Sequence, residues 1–219
     1  MDWGLTSYGD ALVRQRELLE DRKLEDTPDC LVLVEHPPVI TVGRSGSDGD
    51  LRVSKGRLLR KGIEVFHVDR GGKATYHGPG QLVAYPVMKL PNKDLHLYIE
   101  RLLEAAARVL GDYGIEAARD ERQPGLWVEG AKIASIGIAV QKWVTYHGLA
   151  LNVNTDLEGF DFIVPCGLPG QPVTSMQQAL GRRLEMEAVK QRFIARFAEC
   201  FGYRIPCSAN LSSHVEKLI

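Results

Sequence analysis

The sequence predicts an α+β fold, in which a mixed and largely antiparallel sheet is flanked by helices. Short runs of strand-like residues, such as CLVLVE and IASIGIAV, alternate with long segments of helical apolar spacing. Several of these short runs follow one another after only a tight turn, which favours antiparallel pairing. No linker rich in Pro, Gly and Ser and no periodic repeat divides the chain, so we expect one domain over residues 1–219.

Helices are predicted where an apolar stripe follows a residue that can cap it. Thr6 or Ser7 can cap the first helix, Ser54 a short second one and Asp94 a long third one, which has the clearest stripe. The predicted helices cover about 7–23, 54–62, 94–114 and 186–200.

Strands are predicted at the short apolar runs between turn residues. Their ranges are 30–36, 39–43, 63–69, 115–118, 126–129, 131–140 and 144–153. Segment 70–87, RGGKATYHGPGQLVAYPV, predicts a strand, a tight turn and a second strand. Segment 161–175, DFIVPCGLPGQPVTS, is rich in Pro and Gly and is expected to be irregular.

Composition and charge exclude several classes of protein. The net charge of -1 argues against bulk nucleic-acid binding, which needs clustered excess Lys and Arg. The start, MDWGLTSYGD, lacks the pattern of a secretory signal, and the apolar runs are too short to span a bilayer. Four cysteines are too sparse for a disulfide scaffold, and six histidines show no metal-binding spacing. We expect a reduced, cytoplasmic protein with no membrane segment and no metal site.

The glycine-rich stretch RGGKATYHGPGQL is a candidate binding segment. Its glycines allow a ligand to approach the backbone closely, and its N–H groups could face an anion or a developing oxyanion. It matches neither the dinucleotide fingerprint nor the P-loop spacing. A glycine-rich β-hairpin without a ligand is the alternative.

The tetrapeptide TYHG occurs at 75–78 and again at 145–148. The flanking residues do not align, since Lys73 precedes the first copy by two residues and Lys142 the second by three. An internal duplication is therefore a poor explanation. An accident and two walls of one shared site remain.

Among the cysteines, Cys166 is the candidate nucleophile. Cys30 opens an apolar strand and Cys200 lies on the apolar face of the last helix, so both are expected in the core, while Cys207 lies in a polar tail. Cys166 lies between Pro165 and Gly167 in a loop, where a thiol can be accessible and held in place. An ordinary loop cysteine is the alternative.

A nucleophilic thiol needs a histidine or a cation to favour its thiolate. His77, His147 and the lysines are the candidates. Lys132 interrupts an apolar strand of small residues, where a partly buried ammonium group would suit acid–base work. A strand lysine that faces solvent is the alternative.

A cluster of basic residues without an acid among them falls in RVSKGRLLRKG. It is typical of a solvated helix face, and it could also attract a small acidic partner. Its members are Arg52, Lys55, Arg57, Arg60 and Lys61.

Taken together, five segments closely resemble the octanoyltransferases, also called the lipoate–protein ligase B family. They are EHPPVITVGR, RGGKATYHGPGQLVAYPV, GAKIASIGIAV, TYHGLALNVN and PCGLPGQPVTSM, in this order along nearly the whole chain. The resemblance implies the fold shared by biotin and lipoate protein ligases, with a ligase-like core over about 28–205. It also implies transfer of an octanoyl group from acyl carrier protein to a specific lysine of lipoyl domains.

The resemblance also implies roles for individual residues. Cys166 matches the acyl-accepting cysteine of the family, and Lys132 matches the lysine that lowers the pKa of that cysteine. His36 and Tyr85 are expected to border the same cavity, and His77 and His147 are expected to lie near Cys166. The substrate-binding segments of the family match Arg70, Gly71, Gly72, Lys73, Ala74, Thr75, Tyr76, His77, Ser135, Ile136, Gly137, Gly148, Leu149 and Ala150.

The expected partners are acyl carrier protein and the lipoyl domains of 2-oxoacid dehydrogenases and the glycine-cleavage H protein. The resemblance implies no cofactor beyond the phosphopantetheine of the donor, and it is compatible with a monomer. An ATP-dependent lipoate or biotin ligase on the same fold and a non-catalytic binding module are the alternatives.

Overall fold

The computed structural model describes residues 1–25, 27–120, 123–164, 170–204 and 216–217. The helices are α1 (Tyr8–Lys23), α2 (Lys55–Arg60), α3 (Leu95–Asp112), α4 (Met176–Leu180) and α5 (Met186–Phe201), with 3₁₀ turns at Asp48–Asp50 and Leu157–Phe162. The strands are β1 (Asp2–Leu5), β2 (Cys30–Glu35), β3 (Val39–Val42), β4 (Glu64–His67), β5 (Ala74–His77), β6 (Gln81–Val87), β7 (Ala118–Asp120), β8 (Gln123–Val128), β9 (Ala131–Gln141), β10 (Val144–Asn152), β11 (Tyr203–Arg204) and β12 (Glu216–Lys217).

A seven-stranded sheet has the order β1-β2-β6-β10-β9-β8-β7. All neighbours in it are antiparallel except β1 and β2, which run parallel. A second sheet of three strands has the order β4-β3-β5, in which β3 is parallel to β4 and antiparallel to β5. Strands β11 and β12 form a separate antiparallel pair. The predicted α+β class with a mixed, largely antiparallel sheet is confirmed.

The larger sheet is covered on both faces. One face packs on α3 and α5 through a large apolar cluster that includes Leu82, Leu102, Ile133, Leu149 and Phe193, all fully buried. The other face carries smaller clusters and packs on α1. Alternate residues of the central strands therefore serve two different cores.

The four predicted helices begin where the sequence places them. Ser7 caps α1 by accepting from the backbone N–H of Asp10 at 3.2 Å. Asp94 caps α3 by accepting from the backbone N–H of Leu97 at 2.9 Å. Each side chain satisfies one of the amide groups that a helix start leaves without a partner.

The predicted hairpin over 70–87 is wrong in its pairing. The order strand, turn, strand is confirmed, but β5 pairs with β3 of the small sheet, whereas β6 pairs with β2 and β10 of the large one. At the turn, Gly80 has φ +82°, and its N–H donates to a carboxylate oxygen of Glu35 at 2.9 Å. The turn thus directs the chain from one sheet to the other.

The predicted strand at 115–118 is also wrong, because pairing begins only at Ala118. Ile115 is buried, but its N–H donates to Leu110 at the end of α3, where Gly114 has φ +74°. Its apolar side chain therefore belongs to a helix end. Strand β1 and helix α4 were not predicted from the sequence.

The close approach of β6 and β10 depends on Gly148. A Cβ at this position would overlap the carbonyl oxygen of Ala84 on the neighbouring strand. We expect Gly148→Ala to lower the free energy of unfolding by about 3 kcal/mol, because the two strands cannot separate without disturbing both cores. Urea titration measures the effect.

Gly111→Ala is the control for this prediction. Gly111 is exposed in α3, and a Cβ there would meet no atom within 4 Å. This variant should gain up to about 1 kcal/mol from helix propensity. Equal stabilities of the two variants would contradict the packing argument.

Candidate functional site

An open cavity of about 490 Å³, counting part of its mouth, lies between the two sheets. Strand β5 and the loop before it form one wall, and β6, β9 and β10 form the other. Gly72 at one end is exposed, and Ser135 and Ile136 are half-buried. Tyr8 and Tyr85 at the other end are buried. The cavity therefore has a mouth at β9 and a closed inner wall.

A buried arginine organises the mouth. The Nη2 atom of Arg70 donates to the carbonyl oxygen of Thr41 at 2.7 Å and to that of Lys73 at 2.9 Å, and Nη1 donates to the carbonyl oxygen of Gly71 at 2.9 Å. The backbone N–H of Gly71 then donates to Ile138 of β9 at 2.9 Å. The Arg70 guanidinium thus ties the RGG loop to the small sheet, while the loop backbone ties it to the large one.

Glycines allow this close arrangement. A Cβ at Gly137 would lie 2.9 Å from Cδ of Arg70, and a Cβ at Gly43 would lie 2.5 Å from the carbonyl oxygen of Gly72. Gly137 in β9 and Gly43 after β3 are therefore needed to leave room for the Arg70 side chain and its loop.

A chain of hydrogen bonds fixes the orientation of His77. The side-chain amide of Asn152 donates to the Thr174 carbonyl at 2.9 Å, and the Gln81 amide donates to the Tyr76 carbonyl at 3.2 Å and to Asn152 Oδ1 at 2.9 Å. Because carbonyls only accept, Gln81 Oε1 is the acceptor for Nδ1–H of His77 at 2.7 Å. In the neutral ring, Nε2 of His77 therefore carries the lone pair.

A second histidine holds a cavity tyrosine. Nδ1 of His36 lies 2.8 Å from the Thr6 carbonyl oxygen and must donate to it. In the neutral ring, Nε2 therefore accepts from the Tyr85 hydroxyl at 2.8 Å. His36 does not line the cavity itself but orients Tyr85, which does.

The third histidine sits in a strained backbone position. His147 has φ +55°, and its N–H donates to Gln15 of α1 at 3.0 Å instead of joining the ladder with β6. The residues of β10 that pair with β6 run from Leu149 to Asn152, and His147 precedes them. The imidazole Nε2 lies 2.9 Å from Asp69, which also accepts from the Tyr146 hydroxyl at 2.6 Å.

Burial keeps these histidines neutral. Desolvation lowers the pKa of His36 to about 4. Desolvation, together with the nearby His36, Arg70 and His147, lowers the pKa of His77 to about 3. It also lowers the pKa of His147, although Asp69 opposes the shift. The inner wall is therefore aromatic and uncharged near neutral pH.

Lys132 is buried, which excludes the alternative of a solvent-facing lysine. Its Nζ lies 5.0 Å from the centre of the Trp127 ring, and a Cβ at Gly125 would come within 2.6 Å of its Cε. Its backbone N–H donates to Pro172, and its carbonyl accepts from Thr174, both at 2.9 Å. Its role in catalysis stays a prediction.

Cys166 lies outside the described residues, so its expected proximity to His77 and His147 stays a prediction. The two histidines do line one cavity, although they are seventy residues apart in sequence. Before the cysteine, the backbone N–H of Val164 donates to the backbone carbonyl oxygen of Asp50 at 2.8 Å. After it, Val173 pairs with Lys132. The chain is thus anchored on both sides of residues 165–169.

The described cysteines are poor nucleophiles. Burial raises the pKa of Cys30 to about 11, and it raises the pKa of Cys200 as well. Both are half-buried and pack against apolar clusters, close to the predicted core positions. Cys207 lies outside the described residues.

Twelve of the fourteen predicted substrate-binding residues line the cavity; their role in binding stays a prediction. The two that do not line it are Gly71 and Tyr76. The Tyr76 ring packs against Phe160, with ring centres 5.5 Å apart, in the core of the small sheet. Sequence reasoning missed Tyr8 and Val83, which also line it. Tyr8 belongs to the apolar stripe of α1, and nothing in the pattern separated it from a core residue.

No helix among the described residues is long and apolar enough to cross a membrane. In the same part of the chain, no group of three or more His, Cys, Asp or Glu side chains is arranged to hold a metal ion.

Lowering the pH should destabilise the fold through the buried histidines. Between pH 6.5 and about 4, the unfolded chain binds a proton at His36 and the folded chain does not. The free energy of unfolding therefore decreases as the pH is lowered through this range. When the pH is lowered from 7 to 5, we expect the free energy of unfolding of His36→Gln to decrease by about 2 kcal/mol less than that of the unsubstituted protein. Urea unfolding at both pH values measures this.

His96→Gln is the matched control, because His96 is exposed on α3. It should keep the pH dependence of the unsubstituted protein. If His36→Gln kept it too, burial of a neutral His36 would be wrong.

Comparison with known proteins agrees with the fold and the resemblance. Residues 7–198 match the family model of the lipoyl protein ligase A/B catalytic domain. The octanoyltransferase of Rubrobacter xylanophilus is 46% identical over 201 residues, covering 91% of each chain. A bipartite lipoate protein ligase from Thermoplasma acidophilum, studied with its E2 lipoyl domain, has a TM-score of 0.69 at 19% identity over 86% of this chain and 79% of its own.

The fold extends to biotin ligases. The enzyme from Aquifex aeolicus, in complex with biotin and ATP, has a TM-score of 0.54 at 14% identity over 90% of this chain and 67% of its own. Together with the match over 7–198, these similarities confirm the predicted ligase-like fold. The chain belongs to the octanoyltransferases, acyltransferases within the lipoyl protein ligase A/B catalytic-domain family.

Proposed function

We propose that this protein transfers an octanoyl group from octanoyl-acyl carrier protein to a specific lysine of lipoyl domains, through a thioester on Cys166. The observation that carries the proposal is the anchoring of the chain around Cys166. On one side, the backbone of Val164 is hydrogen-bonded to that of Asp50. On the other side, Val173 pairs with Lys132, and the N–H of Thr174 donates to the Lys132 carbonyl oxygen. The described residues on either side of 165–169 are therefore held at Asp50 and at the buried Lys132.

In the first step, the Cys166 thiolate attacks the carbonyl carbon of the donor thioester. A new sulfur–carbon bond forms, the bond to the pantetheine sulfur breaks, and the released thiolate takes up a proton. Thioester is exchanged for thioester, so the step needs no ATP. Dividing the transfer in this way is covalent catalysis.

In the second step, the amine of the target lysine attacks the acyl-enzyme. A carbon–nitrogen bond forms, the bond to Cys166 sulfur breaks, and the amine loses one proton. The product amide is more stable than the thioester, so the transfer is downhill. Lys132 as an ammonium group would stabilise the Cys166 thiolate, and as a free amine it could accept the proton.

The lining of the cavity suits an acyl chain. Its inner wall of neutral histidine and tyrosine rings offers apolar faces without a net charge. Each methylene group buried there contributes about 0.8 kcal/mol to binding. Backbone N–H groups near Gly137 or Gly148 at the β9 and β10 wall are candidate donors to the oxyanion of each step.

Two comparisons support the proposed acceptor. The Thermoplasma acidophilum ligase was studied with an E2 lipoyl domain, and the Rubrobacter xylanophilus relative is an octanoyltransferase. We infer that lipoyl domains of 2-oxoacid dehydrogenases and the glycine-cleavage H protein are acceptors here, in the cytoplasm and with the protein as a monomer.

Intact-protein mass spectrometry after mixing with octanoyl-acyl carrier protein tests the proposal. The unsubstituted protein should gain the mass of one octanoyl group, and Cys166→Ala should gain none. Lys132→Met should form the adduct at least about a hundredfold more slowly, because the thiolate loses its cation.

Cys200→Ala is the control, since this half-buried thiol lies on α5 in the apolar core. It should be acylated at the rate of the unsubstituted protein. Normal octanoyl transfer by Cys166→Ala would contradict the mechanism. Pyrophosphate release from ATP and free octanoate would instead indicate a ligase.

A further inference from the structure

Helix α2 and its flanks carry a basic surface that the proposed chemistry does not use. We call the exposed side chains Arg52, Lys55, Arg57, Arg60 and Lys61, together with Leu59, the α2 patch. Lys55 pairs with Asp48 at 2.8 Å, and Lys61 lies over the ring of Phe162. Among the residues that the structure describes, no acid lies within ion-pair distance of the three arginines. Their charges are therefore available to a partner.

An exposed leucine lies on the same short helix as these charges. Leu59 is 70% exposed, more than any other large apolar side chain in the described part of the chain, whereas its neighbour Leu58 is fully buried. Leu58 packs against Ile40 and Ile63 and so holds the helix on the small sheet. The patch thus combines one exposed apolar side chain with exposed arginines, and arginine is enriched at protein interfaces.

The α2 patch is joined to the cysteine segment. The N–H of Arg52 donates to Phe162 at 2.9 Å, Leu51 pairs with Ile163, and the N–H of Val164 donates to Asp50 at 2.8 Å. This two-stranded contact leads from the patch to a point two residues before Cys166. A domain bound on α2 would therefore lie beside the chain that carries the nucleophile.

We propose that the α2 patch docks the carrier domain of the acyl donor, through an acidic helical face with an apolar residue that covers Leu59. The inference rests on the proposed function and adds the surface that the donor uses. The patch residues do not line the cavity, so a partner docked there must reach it by a long arm. A pantetheine arm is several times longer than a lysine side chain, and this favours the donor over the lipoyl domain.

Charge attraction of this kind acts mainly on the rate of encounter and weakens with salt. The rate of acyl-enzyme formation should therefore depend on the patch when the octanoyl group comes on the carrier protein. It should not depend on the patch when the same group comes on free pantetheine, which has no acidic surface. The two donors separate docking from chemistry.

The experiment compares single-turnover acylation by octanoyl carrier protein and by octanoyl-pantetheine at low and high salt. We expect the pair of substitutions Arg57→Glu and Arg60→Glu to slow acylation by the carrier protein roughly tenfold or more at low salt, with a smaller effect at high salt. Leu59→Ser should slow it at both salt concentrations. Neither variant should change acylation by octanoyl-pantetheine.

Arg101→Glu is the control for net charge, because it changes the charge by the same amount as Arg57→Glu alone. Arg101 is exposed on α3, which packs on the large sheet and lies outside the α2 patch. Arg101→Glu should leave the rates of acylation by both donors unchanged.

Unchanged rates in all α2 variants, or equal slowing with both donors, would overturn the proposal. Slower transfer from the preformed acyl-enzyme to a lipoyl domain, with normal acylation, would assign the patch to the acceptor and also overturn it. If the unsubstituted protein formed no acyl-enzyme from either donor, the proposed function would fail, and this inference with it.

Discussion

The site depends on one buried guanidinium group. Arg70 donates to the carbonyl oxygen of Thr41 in the small sheet and to those of Gly71 and Lys73 in its own loop, while the loop backbone bonds to β9 of the large sheet. Backbone N–H groups of residues 43–45 also donate to carbonyl oxygens of the RGG loop, so the arginine and the backbone fix the loop at the cavity mouth together. The glycines around it follow from the same constraint, since a side chain on Gly137 would displace the arginine. Binding of the acyl group, as we propose it, therefore starts from a structural arginine that holds the two walls together.

Behind the mouth, three neutral histidine rings set the character of the cavity: His77 and His147 line it, and His36 orients Tyr85, which lines it too. Each ring has one nitrogen bound to a fixed partner: the Thr6 carbonyl for His36, Gln81 for His77 and Asp69 for His147. Burial keeps the rings neutral, so polar residues can border an uncharged inner wall, as the proposed acyl site requires. Stability is lost at low pH as a consequence, because the same rings must take up protons when the chain unfolds. The α2 patch, by contrast, keeps its charge on the outside of the small sheet.

Local pattern predicted the elements better than their partners. Apolar stripes and caps located α1 and α3, and the glycine-rich spacing indicated the cavity segment. The pairing of β5 with β3 could not be predicted in the same way, because it depends on a turn after which the chain enters the other sheet. The roles of Gln81 and Asn152 could not be predicted, since each is one polar residue in a strand until the fold brings it to His77. The burial of Lys132 was open for the same reason, because strand periodicity does not show which face a neighbouring segment covers. Residue roles for Cys166 and Lys132 came from the family resemblance.

The central claim is that the cavity between the two sheets holds the acyl chain, with its reactive end at the mouth and its methyl end at the inner wall. The most direct measurement is a crystal structure of the octanoylated protein. Our account predicts a chain that starts at Cys166, passes Ser135 and Gly137, and ends against Tyr8 and Tyr85. An acyl chain bound elsewhere on the molecule, with this cavity empty, would contradict it.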